Sequence, residues 1–264
     1  MGIAVMTATG APQRAVGPAQ PVASAQPLLQ LQGVHTHIGA YHILHGVDLA
    51  VPQGELTMLL GRNGAGKTTT LRTIMGLWQA SQGRITFAGR DITRLHTPHI
   101  AHLNIAYVPE NMGIFADLTV KENMLLAARQ ARNVAQMDTA RLEWIFKLFP
   151  AVEKFWNHPA GKLSGGQKQM LAVSRAIVEP RDLLIIDEPS KGLAPVMVNN
   201  MIDAFGQLKK SGVTILLVEQ NIHFAKRLGD AVAVMDNGRV VHSGRMADLA
   251  ADEALQQSLL GLAL

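Results

Sequence analysis

Apolar and polar residues alternate in short runs between residues 28 and 87, which is the pattern of half-buried strands. Four runs predict an antiparallel layer: Leu28–His35, Val47–Val51, Glu55–Leu60 and Arg84–Phe87. From about residue 113 to residue 177 the apolar spacing changes to the period of helices. The patterns therefore predict strands followed by a helical segment.

Two later runs are apolar at almost every position, which is typical of parallel strands buried on both faces. They read LLIID (183–187) and TILLVE (214–219). The following stretch, AVAVMDNGRVVHSG, contains Asn237-Gly238, a strong signal for a two-residue hairpin. Together the runs predict an α/β fold with an antiparallel β subdomain and a helical subdomain.

Composition limits the classes of protein that fit. The chain has 264 residues, of which 48% are hydrophobic and 17% charged, enough to bury the core of one domain. It contains no cysteine, which excludes disulfides and thiolate metal sites. No apolar run approaches the roughly 20 residues that span a bilayer, so we expect membrane contact only through a partner. The net charge is +4, but Lys and Arg are scattered, and we expect no nucleic-acid partner.

The first 27 residues are rich in Ala, Pro, Gly and Gln and predict a disordered tail. An export signal fits less well, because the stretch has no basic start and its apolar runs are broken by Gly and Pro. We therefore expect one folded domain over residues 28–264.

A glycine-rich turn follows the strand-like run that ends at Leu60, and a helical pattern follows the turn. The turn, GRNGAGKTT, matches the phosphate-loop pattern, in which backbone N–H groups surround phosphate at the start of a helix. Lys67 is expected to reach the β- and γ-phosphates, and the Thr68 hydroxyl to bind Mg²⁺. The candidate nucleotide contacts are Gly61, Arg62, Asn63, Gly64, Ala65, Gly66, Lys67, Thr68 and Thr69. By itself the motif indicates a nucleotide binder, a class that includes GTPases, small-molecule kinases and recombinases.

Two carboxylates follow the first fully apolar run directly. Asp187 is its last residue and Glu188 comes next, at the edge where parallel sheets bind ligands. We expect Asp187 to hold Mg²⁺ through water, and Glu188 to orient and deprotonate the attacking water. Together with Lys67, these carboxylates predict hydrolysis of a nucleoside triphosphate.

The segment LSGGQ, which begins at Leu163, predicts a helix whose first turn can bind an anion. Ser164 and Gln167 fit a capping box, and Gly165 and Gly166 leave the approach to the helix N-terminus open. Taken alone, the segment is also compatible with an ordinary capped helix.

LSGGQ between GRNGAGKTT and LLIIDEP resembles the signature of ABC transporter nucleotide-binding domains, and the resemblance runs from about Leu28 to the C-terminus. It implies a P-loop NTPase core with an antiparallel β subdomain and a helical subdomain, at about residues 113–177, that carries the signature. It implies ATP and Mg²⁺ as cofactors. It also implies a dimer in which each signature completes the ATP site of the other subunit. The signature residues expected to contact ATP in this way are Ser164, Gly165, Gly166 and Gln167.

Three positions differ from the usual family pattern. Glu110, in IAYVPENMGIF, stands where the family usually has Gln, and Gln220, in VEQN, stands where many members have His. Both differences resemble the branched-chain amino-acid or urea importer class, and both residues are candidate catalytic residues. Ile38 occupies the position of the ring that stacks on adenine in the family, so His37 or Tyr41 is an alternative contact to the base.

The loop SKGLAP resembles the loop that crosses the dimer interface in the same class. Lys191 in this loop is expected to be solvated, with pairing to the opposite subunit as the alternative. The many histidines, which include His96, His99 and His102, do not favour a metal site, because no cysteine or HExxH pattern accompanies them.

The resemblance implies an import complex at the cytoplasmic face of the bacterial inner membrane, to which this chain would bind peripherally. Its partners would be a second ABC ATPase subunit, identical or different, two membrane permeases and, indirectly, a solute-binding protein. The expected cargo is a small polar solute such as a branched-chain amino acid or a similar amide compound. The alternatives are a soluble ABC ATPase without a transport role and a regulatory nucleotide-binding module. The single short chain disfavours the first, and the intact Lys67 and Glu188 disfavour the second.

Overall fold

The computed structural model describes residues 26–260, so the tail expected over residues 1–27 lies almost entirely outside the described residues. The strands are β1 (Leu29–Ile38), β2 (Tyr41–Val51), β3 (Leu56–Gly61), β4 (Ala80–Phe87), β5 (Arg90–Asp91), β6 (Ile105–Val108), β7 (Leu183–Asp187), β8 (Thr214–Glu219), β9 (Ala231–Asp236) and β10 (Arg239–Arg245). The α-helices are α1 (Lys67–Ile74), α2 (Thr97–Ala101), α3 (Val120–Ala127), α4 (Thr139–Leu148), α5 (Pro150–Lys154), α6 (Gly165–Ala176), α7 (Pro195–Lys210), α8 (Ile222–Leu228), α9 (Met246–Ala251) and α10 (Glu253–Leu260).

The larger sheet has six strands in the order β10-β9-β3-β8-β7-β6. Five of them, β9, β3, β8, β7 and β6, run parallel, and β10 pairs antiparallel with β9. Because parallel strands end at the same edge of a sheet, the loops after β3, β6, β7 and β8 gather at one edge. This edge therefore collects residues from four distant parts of the sequence.

The smaller sheet is antiparallel in the order β2-β1-β4-β5, and it packs on one face of the larger sheet. Leu59 of β3 belongs to the core on that face, whereas Met58 and Leu60 belong to the core on the opposite, helical face. Apolar side chains are therefore needed on both faces of the central strands, which explains the nearly continuous apolar runs.

The predicted α/β fold with an antiparallel β subdomain is confirmed, and the runs LLIID and TILLVE are β7 and β8 residue for residue. One run predicted for the antiparallel layer, Glu55–Leu60, instead belongs to β3 of the larger sheet, where it pairs parallel with β8 and β9 because both of its faces are buried. The first two strands are longer than predicted. Strand β1 continues to Ile38 and β2 already begins at Tyr41, because the two strands pair as a hairpin across Gly39 and Ala40. Histidines and other polar residues occupy an exposed face of this hairpin and conceal the apolar alternation.

Helices α3 to α6 lie in the stretch between residues 113 and 177. The capping box expected at the start of α6 is confirmed: the Ser164 hydroxyl accepts from the Gln167 N–H, and the Gln167 side chain accepts from the Ser164 N–H. Thr119 and Glu122 form a second capping box at α3. The Asn237-Gly238 hairpin between β9 and β10 is also confirmed. Within residues 26–260, no helix has both the length and the apolar character to cross a membrane.

Candidate nucleotide-binding site

The loops after β3, β7 and β8 form the candidate site at the carboxyl edge of the larger sheet. Strand β8 lies between β3 and β7, so its end is flanked by the phosphate loop on one side and the paired carboxylates on the other. Most residues predicted for the phosphate end of the site meet at this edge.

The turn after β3 has three glycines with positive φ angles, Gly61, Gly64 and Gly66. Gly61 and Gly66 have φ angles of 151° and 104°, which L side chains rarely adopt. A Cβ at Gly61 would collide with the carbonyl oxygen of Met235, and a Cβ at Gly66 would lie 3.0 Å from Leu44 Cδ2. A Cβ at Gly64 would meet no atom within 4 Å, so the outer side of the loop is open. Helix α1 begins directly after the loop and adds the partial positive charge of its N-terminus.

The side chain of Lys67 is held by backbone carbonyl oxygens of the phosphate loop. Its Nζ donates to the carbonyl oxygens of Gly61 at 2.8 Å and Arg62 at 3.0 Å, and it lies 3.4 Å from Glu188 Oε1. The side chain is only 4% exposed. The ammonium group is therefore fixed between the loop and the carboxylates, where it can neutralise a bound phosphate.

Thr68 and Asp187 form a pair suited to a hard cation. The Thr68 hydroxyl donates to Asp187 Oδ1 at 3.2 Å, whereas the buried Oδ2 has no hydrogen-bond partner among the described residues. Burial raises the pKa of Asp187 to about 6, and the nearby Glu188 contributes to the rise. A hydroxyl beside a carboxylate with an unpartnered oxygen fits Mg²⁺, which prefers oxygen ligands.

Glu188 has an unusual backbone conformation. Its φ angle is +48°, although it is not glycine and precedes Pro189. Such strain costs on the order of 1–3 kcal/mol and persists only where neighbouring contacts impose it. Here the Glu188 N–H donates to the Val218 carbonyl oxygen at 3.0 Å, which ties the end of β7 to β8. The carboxylate faces the phosphate loop, with Oε1 3.4 Å from Lys67 Nζ.

Gln220 joins the phosphate loop to the carboxylate at position 188. Its Nε2 donates to Glu188 Oε1 at 2.7 Å and to Asn63 Oδ1 at 2.7 Å. The side chain therefore touches two of the predicted site residues at once. A neutral amide can make these contacts without titrating near neutral pH.

Lys191 stays largely exposed, as expected of a solvated side chain, but it also makes a contact within its own chain that the sequence did not predict. Its Nζ forms an ion pair with Glu110 Oε1 at 2.5 Å and lies 3.5 Å from Glu188 Oε2. Because Lys191 is 55% exposed and Glu110 is 44% exposed, solvent screens the pair, and we expect it to contribute little to stability. The pair instead holds Glu110 near the carboxylate of Glu188, because both contact the same ammonium group.

The signature helix α6 starts at a surface that is open in a single chain. Ser164 and Gly165 are exposed, and a Cβ at Gly165 would meet no atom within 4 Å. Gly166 differs from the expectation of an open approach, because Met197 fills the space beside it and a Cβ would lie 2.6 Å from Met197 Cε. The hydrogen bonds of the Ser164 hydroxyl and N–H go to Gln167. The signature residues therefore make no hydrogen bond to the phosphate loop of their own chain.

Ile38 and Tyr41 are the pair that closes the β1–β2 hairpin. Directly paired residues of antiparallel strands project to the same face, and consecutive residues project to opposite faces. His37 therefore points away from the Ile38 face, and its ring stacks on His42 at 4.2 Å. Tyr41 is 76% exposed and is the aromatic ring on the Ile38 face. Of the two alternatives for a contact to adenine, this arrangement favours Tyr41 over His37.

The stacked pair belongs to a cluster of four histidine rings on the outer face of the hairpin, His35, His37, His42 and His45. His35 Nδ1 and His42 Nε2 are 3.0 Å apart and share a hydrogen bond. In the part of the chain that the structure describes, no group of three or more His, Cys, Asp or Glu side chains has the geometry to hold a metal ion.

Sequence reasoning missed Glu219, the last residue of β8. It is 2% exposed, and its carboxylate accepts hydrogen bonds from backbone N–H groups on both sides of the site. The signal in the sequence was a charged residue at the end of an otherwise apolar run. A carboxylate buried at such a position needs hydrogen-bond donors around it.

Comparison with known proteins adds to this geometry. The family model described as "ABC transporter" matches residues 44–191, which include the phosphate loop, the signature and the paired carboxylates. "High-affinity branched-chain amino acid transport ATP-binding protein BraG" of Pseudomonas aeruginosa is 37% identical over 89% of this chain and 100% of its own length. "Probable branched-chain amino acid transport ATP-binding protein LivF" of Archaeoglobus fulgidus is 35% identical over 84% of this chain and 93% of its own length.

A solved structure matches the fold over a similar span. It is an ATP-binding cassette of an ABC transporter in its ADP conformation, 25% identical to this chain, with a TM-score of 0.75. The match covers 90% of this chain and 100% of the solved one.

Proposed function

The chain belongs to the ABC transporter family, and from this premise we propose that it powers the import of branched-chain amino acids or a similar amide compound. As a member of that family it is an ATP-binding subunit that hydrolyses ATP to drive transport. The observation that carries the finer proposal is the 37% identity to BraG over the full length of that relative. The single-residue differences Glu110 and Gln220 support the same class.

In the proposed mechanism, the phosphate loop binds the ATP phosphates through its backbone N–H groups. Lys67, which is held by Gly61 and Arg62, shifts its contacts to the β- and γ-phosphates and reduces their mutual repulsion. Arg62, Asn63, Gly64, Ala65, Gly66 and Thr69 complete the phosphate contacts. A preorganised cationic loop is effective because it does not reorganise as charge moves during the reaction.

Thr68 and Asp187 are proposed to hold Mg²⁺, Thr68 directly and Asp187 through water. When bound, the cation would supply positive charge to the β- and γ-phosphate oxygens. The unpartnered Oδ2 of Asp187 is the observation that supports this assignment. Burial raises the pKa of this carboxyl to about 6, and the positive charge of a bound cation would favour its ionised form.

Glu188 is proposed to accept the proton of the attacking water. Its Oε1 already accepts from Gln220 Nε2, whose second N–H donates to Asn63 Oδ1. If the contact to Asn63 is released when ATP binds, Gln220 can hold the carboxylate and donate its second N–H to the γ-phosphate or to the water. The proton moves from water to a Glu188 oxygen while the water oxygen attacks the γ-phosphorus. The bond between that phosphorus and the β,γ-bridging oxygen breaks, and ADP leaves with the bonding electron pair. Glu110 is linked to Glu188 through Lys191, and we propose that this link responds when the charge of the Glu188 carboxylate changes.

The open start of α6 supports a site completed by a second subunit. We propose that Ser164, Gly165 and Gln167 approach the γ-phosphate bound to the opposite subunit, where the N-terminus of the helix attracts the anion. The second subunit is either another copy of this chain or a related ATPase. Two membrane permeases would then hold the dimer at the cytoplasmic face of the bacterial inner membrane, and a solute-binding protein would act through the permeases.

The transport proposal is tested by purifying the intact membrane complex and identifying its solute-binding protein. In proteoliposomes, we expect that protein to stimulate ATP hydrolysis when it is loaded with leucine, isoleucine or valine, and much less when it is empty. Stimulation by an unrelated solute, such as an inorganic anion, with no response to these amino acids would contradict the proposed cargo.

A substitution at Ile38 tests the contact to adenine. Ile38→Tyr places a ring on the proposed base face, and base stacking on an aromatic ring contributes about 1–3 kcal/mol. We therefore expect an ATP dissociation constant at least about fivefold lower than that of the wild type, measured by calorimetry. Ile38→Leu serves as the control and should leave the constant unchanged.

Tyr41→Ala measured in the same series separates the two contacts. If Ile38→Tyr has no effect and Tyr41→Ala weakens binding, the base lies on Tyr41 and the role proposed for Ile38 is wrong.

A further inference from the structure

Glu219 is a buried carboxylate to which the proposed mechanism gives no role. It ends β8, the strand between the phosphate-loop strand β3 and the carboxylate strand β7, and only 2% of it is exposed. Burial raises its pKa, in the direction expected for a carboxylate removed from water. A buried carboxylate is costly unless nearby donors compensate for the lost solvation.

Three backbone N–H groups provide that compensation. Ser190 N–H donates to Glu219 Oε1 at 2.9 Å. On the other oxygen, Oε2 accepts from Gln220 N–H at 3.1 Å and from Asn221 N–H at 3.3 Å. Each oxygen therefore binds a different loop, and the carboxylate acts as a bridge between the loop after β7 and the loop after β8.

Both bridged loops carry a residue of the proposed hydrolytic step. Ser190 lies two positions after Glu188, whose strained backbone needs support from its surroundings. Gln220 holds Glu188 Oε1 through its side chain at 2.7 Å. The bridge made by Glu219 thus fixes the backbone on both sides of the hydrogen bond between Gln220 and Glu188.

We propose that Glu219 is a positioning residue for ATP hydrolysis, which locks the loop at residues 188–190 to the loop at residues 219–221. This inference rests on the proposed role of Glu188 as the base. The hydrogen bonds of the Glu219 carboxylate go to the backbone of Ser190, Gln220 and Asn221, and among the described residues none goes to the phosphate loop or to the carboxylate of Glu188. Glu219 keeps Gln220 and Glu188 in a fixed position relative to each other, and the rate of ATP hydrolysis depends steeply on that position.

Glu219→Gln is the most informative substitution, because it keeps the size and shape of the side chain and removes only its charge and one acceptor. The amide presents an NH₂ group to one of the two loops, where a backbone N–H needs an acceptor, so one side of the bridge is lost. We expect kcat to fall by about 10- to 100-fold, the range that a misplacement near 1 Å produces. The KM for ATP should change by less than about threefold, because the phosphate loop keeps its contacts.

Thr214→Val is the matched control at the opposite end of the same strand. Thr214 is also buried, and its hydroxyl accepts from the Gly54 backbone N–H at 2.9 Å. Both variants therefore remove a side-chain acceptor of a backbone N–H from β8, but only Glu219→Gln does so at the site. We expect Thr214→Val to lower Tm while kcat stays within about twofold of the wild type.

The experiment measures kcat, KM for ATP and Tm for the two variants, with Glu188→Gln in parallel. A selective loss of kcat in Glu219→Gln, with a Tm change no larger than that of Thr214→Val, supports the inference. A wild-type kcat, or a loss of kcat that Thr214→Val shares, overturns it. Wild-type turnover in Glu188→Gln would instead refute the proposed base, which keeps the two failures distinct.

Glu219→Asp covers the case in which Glu219→Gln does not fold. Aspartate keeps the charge but is one methylene shorter, so it cannot reach both loops at once. The positioning role predicts a reduced kcat with an unchanged KM in this variant also. Full activity of Glu219→Asp would overturn the inference, because it would show that a buried charge alone is sufficient.

Discussion

Glu188→Gln is expected to lower the rate of ATP hydrolysis by about 100-fold or more, since a positioned general base contributes on the order of 10²–10⁴ in rate. The amide keeps the shape of the side chain but cannot accept the proton of the attacking water. Replacing the carboxylate also removes a negative charge 3.4 Å from Lys67, so ATP should bind at least as well as in the wild type. Bound ATP that is not hydrolysed should then hold two subunits together.

The measurements are the steady-state ATPase rate and the mass of the purified chain with ATP and Mg²⁺. Glu179→Gln is the matched control, because Glu179 forms ion pairs with Arg129 and Arg181 outside the site. That control should hydrolyse ATP normally. A Glu188→Gln variant that stays monomeric with ATP and turns over at the wild-type rate would show that the base is another residue.

Ser164→Arg is expected to abolish turnover while the phosphate loop still binds ATP. The longer, charged side chain would block the approach of the α6 N-terminus to a phosphate on the opposite subunit. Within its own chain, the hydrogen bonds of Ser164 go to Gln167, so the ATP dissociation constant should change by less than about twofold. The comparison needs both an ATPase assay and a direct binding measurement.

Loss of the helix cap is a separate effect of the same change and costs about 1 kcal/mol. Thr119→Arg controls for it, because Thr119 and Glu122 form the same type of capping box at α3. It should reduce stability similarly and leave basal ATP hydrolysis intact. Equal activity of Ser164→Arg and Thr119→Arg would remove the case for a site shared between subunits.

Local features of the site could be predicted from the sequence because neighbouring residues determine them. The phosphate loop needs glycine where φ is positive, and Gly61 and Gly66 meet that need. The capping box of α6 involves only residues 164–167, and strands β7 and β8 lie in runs that are apolar on both faces. Each of these elements is specified within a short window of sequence.

Contacts between loops could not be predicted in the same way. Lys191 and Glu110 are 81 positions apart, and Ser190 and Glu219 are 29 positions apart. Both contacts depend on the order of strands in the sheet, which places β8 between β3 and β7 although it comes last of the three in sequence. The ion pair of Lys191 could not be predicted for this reason, because its partner Glu110 comes from the loop after a different strand.

The central claim is that each ATP site combines the phosphate loop and base of one subunit with the signature of the other. Mixing two inactive variants of the purified chain, Ser164→Arg and Glu188→Gln, tests it most directly. A mixed dimer has one site with both an intact Glu188 and an intact Ser164, so an equal mixture should regain about a quarter of wild-type ATP hydrolysis. No gain over the sum of the separate variants would contradict the shared site, because it would place both residues in one subunit's own site.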